Sequence, residues 1–411
     1  MAISDLLEYR SDMMIAGGVD ADNSPLMYMC FSKTPAFTKG ENPRPFDETS
    51  GGVMIGEGMG MVILKRLEDA ERDGDSIYAV IKGIGTSSDG KFKSIYAPRS
   101  GGQAKALRRA YADADIDRLS IGLLEAHGTG TAAGDSAEFD GLKEVFTAKS
   151  GYPDFQHIAL GSIKSQIGHT KAAAGIAGLI KTTLALHHKI LPPTINIERP
   201  SEKLGIEKTP FYLNTEARPW ITDGEQRRAG VSAFGFGGTN FHFVLEEFQA
   251  THSGAFRMHK TPATVFLSAD TPKELNKVCR GLLAELETVG AVERQRKLLK
   301  SSRENSIPKK HARLGFVTDS LAKTVEMLGQ AISTLESQND KTEWNVKGIS
   351  YRQQALETKG KVVALFSGQG SQYMNMTKEL FLNFPSMAGP YSALDKLFTE
   401  KSDNFSSSPK P

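Results

Sequence analysis

Two stretches of this chain, residues 123–142 (LLEAHGTGTAAGDSAEFDGL) and 160–179 (LGSIKSQIGHTKAAAGIAGL), follow one plan. Each runs from an apolar strand-like segment into a Gly/polar loop with a single histidine and then into a helix. This is a weak echo of plan rather than a repeat of sequence. Its consequence for the fold is strong, because strand, loop and helix in succession build a sheet with parallel strands, and such loops emerge at the strands' carboxyl ends, where ligands bind. The two loop histidines, His127 and His169, can thus converge on one site.

The surrounding sequence keeps the same α/β rhythm. Apolar runs at MMIAGGV, GMGMVILKRL, IYAVIKGIGT, IALGSI, RRAGVSAF and FHFVLEEF read as strands, and Gln103 to Ala114 reads as a helix. One continuous domain to about Glu247 fits. Beyond it, TVFLSADTPKELNKVCRGLLAELE and RLGFVTDSLAKTVEMLGQAISTLES each read as strand, cap and amphipathic helix, a second, smaller α/β unit. Between them residues 291–313 carry Arg294, Arg296, Lys297, Lys300, Arg303, Lys309, Lys310 and Arg313, read as a solvated linker face, with docking of an acidic partner as the alternative. The last residues, SDNFSSSPKP, have the composition of a disordered tail.

Composition excludes several classes. With 50 basic against 48 acidic residues the net charge is only +2, so no global field gathers nucleic acid or an anionic membrane. Two cysteines, Cys30 and Cys279, are too few for a disulfide framework and lie in no metal-ligand spacing, which fits a reducing cytosol and a cytoplasmic location. The first residues lack the zones of a signal peptide. The apolar stretch Ala172 to Leu186 carries Lys181 and is shorter than the roughly 20 residues that span a bilayer, so it reads as a buried core helix.

Three motifs carry chemistry. In EAHGTGT, Glu125 to Thr131, glycines allow close approach of backbone to ligand while His127, Thr129 and Thr131 offer a ring nitrogen and two hydroxyls. The alternative is a turn whose histidine bonds a backbone carbonyl. In KSQIGHTKAAAG, Lys164 precedes His169, and His169 opens a small-residue helix whose N-terminus favours negative charge. A neutral imidazole there donates a hydrogen bond to an oxygen gaining charge, as enolate formation requires, although a core histidine fits the same pattern. AGVSAFGFGGTNFH looks like a phosphate loop, but the residues after Asn240 read as a strand where a dinucleotide site needs a helix. A tight turn presenting the backbone N–H of Phe236 as an oxyanion donor fits better.

In this order the three motifs resemble those of the ketosynthase family of the thiolase fold. The fold class implied is α/β: the rear part of an α-β-α-β-α layered ketosynthase, followed by a small α/β linker domain. Ketosynthases load an acyl chain on a cysteine, decarboxylate malonyl carried on acyl carrier protein, and join the carbanion to the acyl thioester. The resemblance implies that His127 and His169 stabilise the carbonyl of the decarboxylating malonyl thioester, with Lys164 and Glu138 as a supporting polar pair. It implies that Thr129 and Thr131 bond the pantetheine arm and that the Phe236 N–H completes an oxyanion hole. It implies no metal and no directly bound cofactor, substrates carried on the phosphopantetheine of acyl carrier protein, and a homodimer in the parent synthase.

The family's Ala-Cys-Ser-type nucleophile elbow is absent from this sequence, and Cys30 reads as a packing residue. The chain is therefore expected to hold the decarboxylating half of a site without the acyl-holding half, and to be inactive in condensation by itself. By the same resemblance residues 1–248 are the ketosynthase part, 249–360 the linker between ketosynthase and acyltransferase, 361–400 the start of an acyltransferase domain, and 401–411 the tail. Gln369 in GQGSQ matches an acyltransferase's oxyanion-side glutamine. The wording of GGVDADNSPLMYMCFSKT and FDETSGGVMIGEG is similar to the large subunit of bacterial polyunsaturated fatty acid synthases. Rival readings are a degradative thiolase, disfavoured because the glycine turn at Phe236 stands where those use a second cysteine, and a non-catalytic synthase partner or acyl carrier protein-binding module.

Overall fold

The structure, a computed structural model, describes residues 1–33, 36–91, 97–146, 156–222, 225–248, 262–304, 306–357, 363, 365, 370–371, 373–383 and 387. The chain forms two units, Met1–Phe256 with Thr377–Pro411, and Arg257–Met376. Gln369, and most of the segment read as acyltransferase and tail, lie outside the described residues.

In the first unit the elements run α1 (Ala2–Leu7), β1 (Met13–Asp20), α2 (Pro25–Ser32), β2 (Gly58–Lys65), α3 (Leu67–Asp73), β3 (Val80–Ser88), α4 (Ser100–Ala114), β4 (Leu123–Glu125) and α5 (Ala132–Phe146). They continue with β5 (Ile158–Gly161), α6 (Lys164–Ile167), α7 (Ala174–His188), β6 (Ile190–Leu191), β7 (Phe211–Leu213), β8 (Arg218–Pro219), β9 (Arg228–Phe234) and β10 (Thr239–Glu246). A six-stranded sheet has the order β3-β10-β9-β4-β5-β7. Within it β9, β4, β5 and β7 run parallel, and β10 is antiparallel to both of its neighbours.

The fully buried strands β4 and β5 are continuous apolar runs, as strands covered on both faces must be. One face packs on α4 and α5 through Leu107, Tyr111, Phe139, Leu142 and Phe146. Residues of α7, Ala185 and Leu186, pack with Leu123, Val231 and Trp220 in a separate cluster. Beyond α7 lies the antiparallel ribbon β1–β2, where Ile176 and Ile180 of α7 close on Gly60. Helices, sheet, helix and ribbon make four layers from the described residues. The ribbon's other face leaves Met13, Ile15, Val19, Met59, Met61 and Ile63 at least half exposed, a contiguous apolar row of the kind that marks association surfaces.

The second unit is built from β11 (Ala263–Ala269), α8 (Pro272–Leu286), α9 (Ala291–Glu304), β12 (Ala312–Thr318), α10 (Leu321–Ser337), β13 (Glu343–Val346) and β14 (Ile349–Arg352), with sheet order β11-β12-β14-β13. Both expected caps are present: the Thr271 hydroxyl accepts the Glu274 N–H, and the Ser320 hydroxyl accepts the Lys323 N–H. Within the basic stretch residues 291–304 form the helix α9, with Leu298 buried, while Arg296, Lys297, Lys300, Lys309 and Lys310 stay exposed. Part of its charge is used internally. Arg294 donates to the Glu285 carbonyl, and Arg313 to the carbonyls of Pro308, Lys309 and His311. A last helix, α11 (Lys378–Asn383), belongs to the first unit, where Lys378 pairs with Glu216.

Two expectations are corrected. Cys30 is exposed on α2 rather than packed, whereas Cys279 is fully buried in the second unit's core. His169 does not open α7, because a 3-10 turn at Lys171–Ala173 intervenes and the helix begins only at Ala174. No described helix is long and apolar enough to cross a membrane.

Candidate active site

The loops after β4, β5 and β9 leave the same edge of the sheet, the carboxyl ends of parallel strands, and carry the three motifs. The His127 and His169 rings lie edge to face, with centroids 5.4 Å apart and planes at 83°. The ring of Phe234, the last residue of β9, stands 5.9 Å from His127.

His127 is held through its main chain. Glu138, buried on α5, accepts the N–H of His127 at 2.7 Å and of Gly128 at 2.8 Å, one on each carboxylate oxygen. Gly128 has φ +40°, and a Cβ there would stand 2.7 Å from that of Ser162, so the bend requires glycine. Asp135, one turn earlier on α5, accepts the N–H of Phe46 at 2.7 Å and of Gly130 at 3.1 Å, closing the other end of the loop. From α6, the Lys164 ammonium donates to the His127 carbonyl and lies 3.5 Å from His127 Nδ1. Lys164 and Glu138 therefore do not bond each other; they grip opposite sides of the same residue.

His169 is held by different means. Its N–H donates to the Met54 carbonyl at 2.7 Å, and its own carbonyl accepts the Gly56 N–H at 3.1 Å. Its Nδ1 accepts the Lys171 N–H at 3.1 Å. Lys171 adopts φ +46°, and its ammonium, bonded to Asp20, Asn23 and the Gly56 carbonyl, holds it there.

These partners decide the tautomers. An amide N–H and an ammonium have only protons to give, so both Nδ1 atoms are acceptors and both neutral rings carry the proton on Nε2. Burial, reinforced by the cation Lys164, holds the His127 imidazole well below its ordinary range, and burial with Lys164 and Lys171 lowers His169 to about 3. Both rings stay neutral at pH 7. Burial pushes the Asp135 carboxyl up to about 6, raises that of Glu138 and lowers the Lys164 ammonium. Strongly shifted groups gathered at one sheet edge make this edge the candidate site.

The Thr129 and Thr131 hydroxyls lie 3.0 Å apart, and Thr131 Oγ1 also accepts the Gly134 N–H. Phe236 sits in a tight turn closed by Gly235 N–H to Thr239 O and Gly238 N–H to Gly235 O, both 2.9 Å. The strand β10 follows directly, as the reading against a dinucleotide loop expects. Buried Asn240 anchors this turn by donating to Asp89 Oδ1 at 2.7 Å, while the Asp89 N–H donates to the Gly238 carbonyl. The Phe236 side chain is half exposed, 6.2 Å from Phe31 of α2. Sequence reasoning missed Asp135, although its place in the loop-closing turn, three residues before Glu138, was a signal. No cluster of His, Cys, Asp and Glu suited to a metal occurs among the described residues.

Comparison with known proteins agrees in family. Residues 1–70 match the family described as "Beta-ketoacyl synthase, N-terminal domain", 78–198 match "Beta-ketoacyl synthase, C-terminal domain", and 200–317 match "Ketoacyl-synthetase C-terminal extension". One of the polyunsaturated fatty acid synthase subunits of Thraustochytrium sp. is 42% identical over 96% of this chain. One of the phenolphthiocerol/phthiocerol polyketide synthase subunits of Mycobacterium tuberculosis is 35% identical over 94%. The chain spans only 15% and 26% of their lengths. Among solved structures, the ketosynthase from module 6 of the bacillaene synthase of Bacillus subtilis is similar at TM-score 0.58 and 35% identity, over 81% of this chain and 58% of that one.

Proposed function

Because this chain belongs to the beta-ketoacyl synthase family, we propose that it supplies the decarboxylating half of a ketosynthase site in a polyunsaturated fatty acid or polyketide synthase. The observation that carries this reading is the pair of neutral histidines, set edge to face with Nδ1 accepting on each, so that each offers an Nε2–H. When a malonyl thioester loses carbon dioxide, the bond between its carboxylate and α carbon breaks and the electron pair passes into an enolate. Negative charge gathers on the thioester oxygen. Two fixed neutral donors stabilise that charge without a proton having to move.

The enolate carbon then attacks an acyl thioester, forming the new carbon-carbon bond and expelling the thiol that held the acyl group. In this reading Thr129 and Thr131 hold the pantetheine arm, the Phe236 N–H serves the second oxyanion, and acyl carrier protein delivers the thioesters to a homodimeric synthase. The acyl group is held by a nucleophile that neither cysteine provides. Burial pushes the Cys279 thiol up to about 12, and Cys30 stands exposed on α2, away from any strand-to-helix elbow.

The test is to give the full chain a malonyl-pantetheine thioester and an acyl thioester, and to follow carbon dioxide and intact mass. Carbon dioxide release above buffer with no acyl adduct is expected, and any slope in the rate between about pH 6 and 7 is expected to come from the raised carboxyls of Asp135 and Glu138, since neither histidine titrates there. Absence of decarboxylation, or a stoichiometric adduct on Cys30 or Cys279, overturns the reading.

A further inference from the structure

Lys181 and Glu125 form a buried ion pair that the histidine reading does not use. Their side chains are 8% and 2% exposed, and Lys181 Nζ lies 2.8 Å from Glu125 Oε2. The other oxygen, Glu125 Oε1, accepts the Ile163 N–H at 2.6 Å. One carboxylate thus ties the end of β4, two residues before His127, to the entry of α6, one residue before Lys164, and to α7. The fit is close: a Cβ at Gly178, one turn ahead of Lys181, would stand 3.3 Å from Glu125 Cγ. An ion pair so enclosed adds little net stability over an apolar pair.

We infer that Glu125, clamped by Lys181, is a positioning residue that fixes the entry of α6 and so sets the Lys164 ammonium against His127 Nδ1, which keeps His127 in the Nε2–H form. Lys164 forms no ion pair among the described residues; its ammonium is spent on the His127 carbonyl and Nδ1. A neutral amine at that place accepts a proton from Nδ1 as readily as it gives one, which turns Nε2 into an acceptor and repels a developing oxyanion. The groups facing Lys164 are Glu125 from β4, Asp135 and Glu138 from α5, Lys181 from α7, and the rings of His127 and His169. Burial lowers Lys164, and Glu125 is the first of the charges that oppose this, ahead of Glu138 and Asp135, with Lys181 acting the other way.

The sign follows. Neutralising Glu125 lowers Lys164 further, so the cation and the His127 donor are lost at lower pH. Neutralising both members of the clamp moves them in the same direction by less. The inference rests on the decarboxylase reading, so the experiment has two readouts on the full chain. In the first, Glu125→Gln is expected to bring the alkaline fall of malonyl decarboxylation to lower pH, because an opposite charge that favours the Lys164 cation is lost. In the second, nitrogen NMR of histidine-labelled chain follows the His127 tautomer, and the switch away from Nε2–H is expected to move down with the same midpoint. Because Glu125→Gln leaves Lys181 unpaired, the double variant Glu125→Gln/Lys181→Met, neutral and of nearly equal volume, carries the test if the single variant does not fold. A tautomer switch at the wild-type pH in the folded double variant overturns the inference. A wild-type chain that releases no carbon dioxide instead overturns the functional reading, and the NMR readout still decides this one.

Discussion

Replacing either His127 or His169 by alanine is expected to lower malonyl decarboxylation by about 100- to 1000-fold, the usual cost of one well-placed donor at a developing oxyanion. In the proposed reaction charge develops on the thioester oxygen before the new bond forms, so loss of either donor is expected to show in the decarboxylation step itself. The double variant is expected to fall little below the single ones, because two donors on one oxygen act as a unit and their losses do not add. Carbon dioxide release, measured at saturating malonyl thioester, is the relevant readout; an unchanged KM with a reduced kcat distinguishes loss of an enolate donor from loss of substrate binding. A variant that decarboxylates at the parental rate removes that histidine from the mechanism.

The two rings reach the same chemical state by different routes, and this separates their supports. His169 takes its Nδ1 partner from the main chain at Lys171 and is pinned by the strand-like segment at Met54 and Gly56, so no side chain's ionisation decides its tautomer. His127 takes its partner from Lys164, a titratable group, and its backbone from Glu138. On the alkaline side the pH dependence of the tautomers therefore enters through His127, where Lys164 loses its proton, while on the acid side it enters through the raised carboxyls of Asp135 and Glu138 that brace the same loop.

What was legible in the sequence was the local part of this arrangement. Strand, loop and helix in succession announce where a loop leaves the sheet, so the convergence of His127 and His169 could be read from two segments 37 residues apart in register. The strand after Asn240 likewise removed the nucleotide reading by itself. What was not legible depends on distance and packing. Lys181 was visible as one charge in an apolar helix, and a buried lysine requires a partner, but nothing local distinguishes Glu125, 56 residues away, from other carboxylates. How Lys164 and Glu138 divide their support was hidden for the same reason: each bonds main-chain groups of His127 from a distant element rather than bonding the other. In the basic stretch at 291–313 the solvated charges were legible, but the helix over 291–304 was not, because those charges hide its apolar face, with Leu298 as the buried member.

Phe211→Ala is expected to destabilise the first unit by about 3–5 kcal/mol, the cost of removing a buried phenylalanine and leaving a cavity. Phe211, on the edge strand β7, is fully buried and meets the ring of Phe146 at 4.9 Å and that of Phe139 at 6.0 Å, both in T-shaped contact. Such pairs contribute beyond the area they bury. Phe139 follows Glu138 directly and faces Phe46 at 6.5 Å, whose N–H is held by Asp135. The aromatic row therefore stands behind both carboxylates that brace the His127 loop, and its loss reaches the site through α5. The chain's two tryptophans make this measurable, since Trp220 lies in the first unit and Trp344 in the second. In a Trp344→Phe background the emission of Trp220 reports unfolding of the first unit by denaturant. A midpoint that moves by less than about 1 kcal/mol-equivalent, well under the range for such truncations, would show that the site collapses around the missing ring and that β7 is not needed to hold α5 in place.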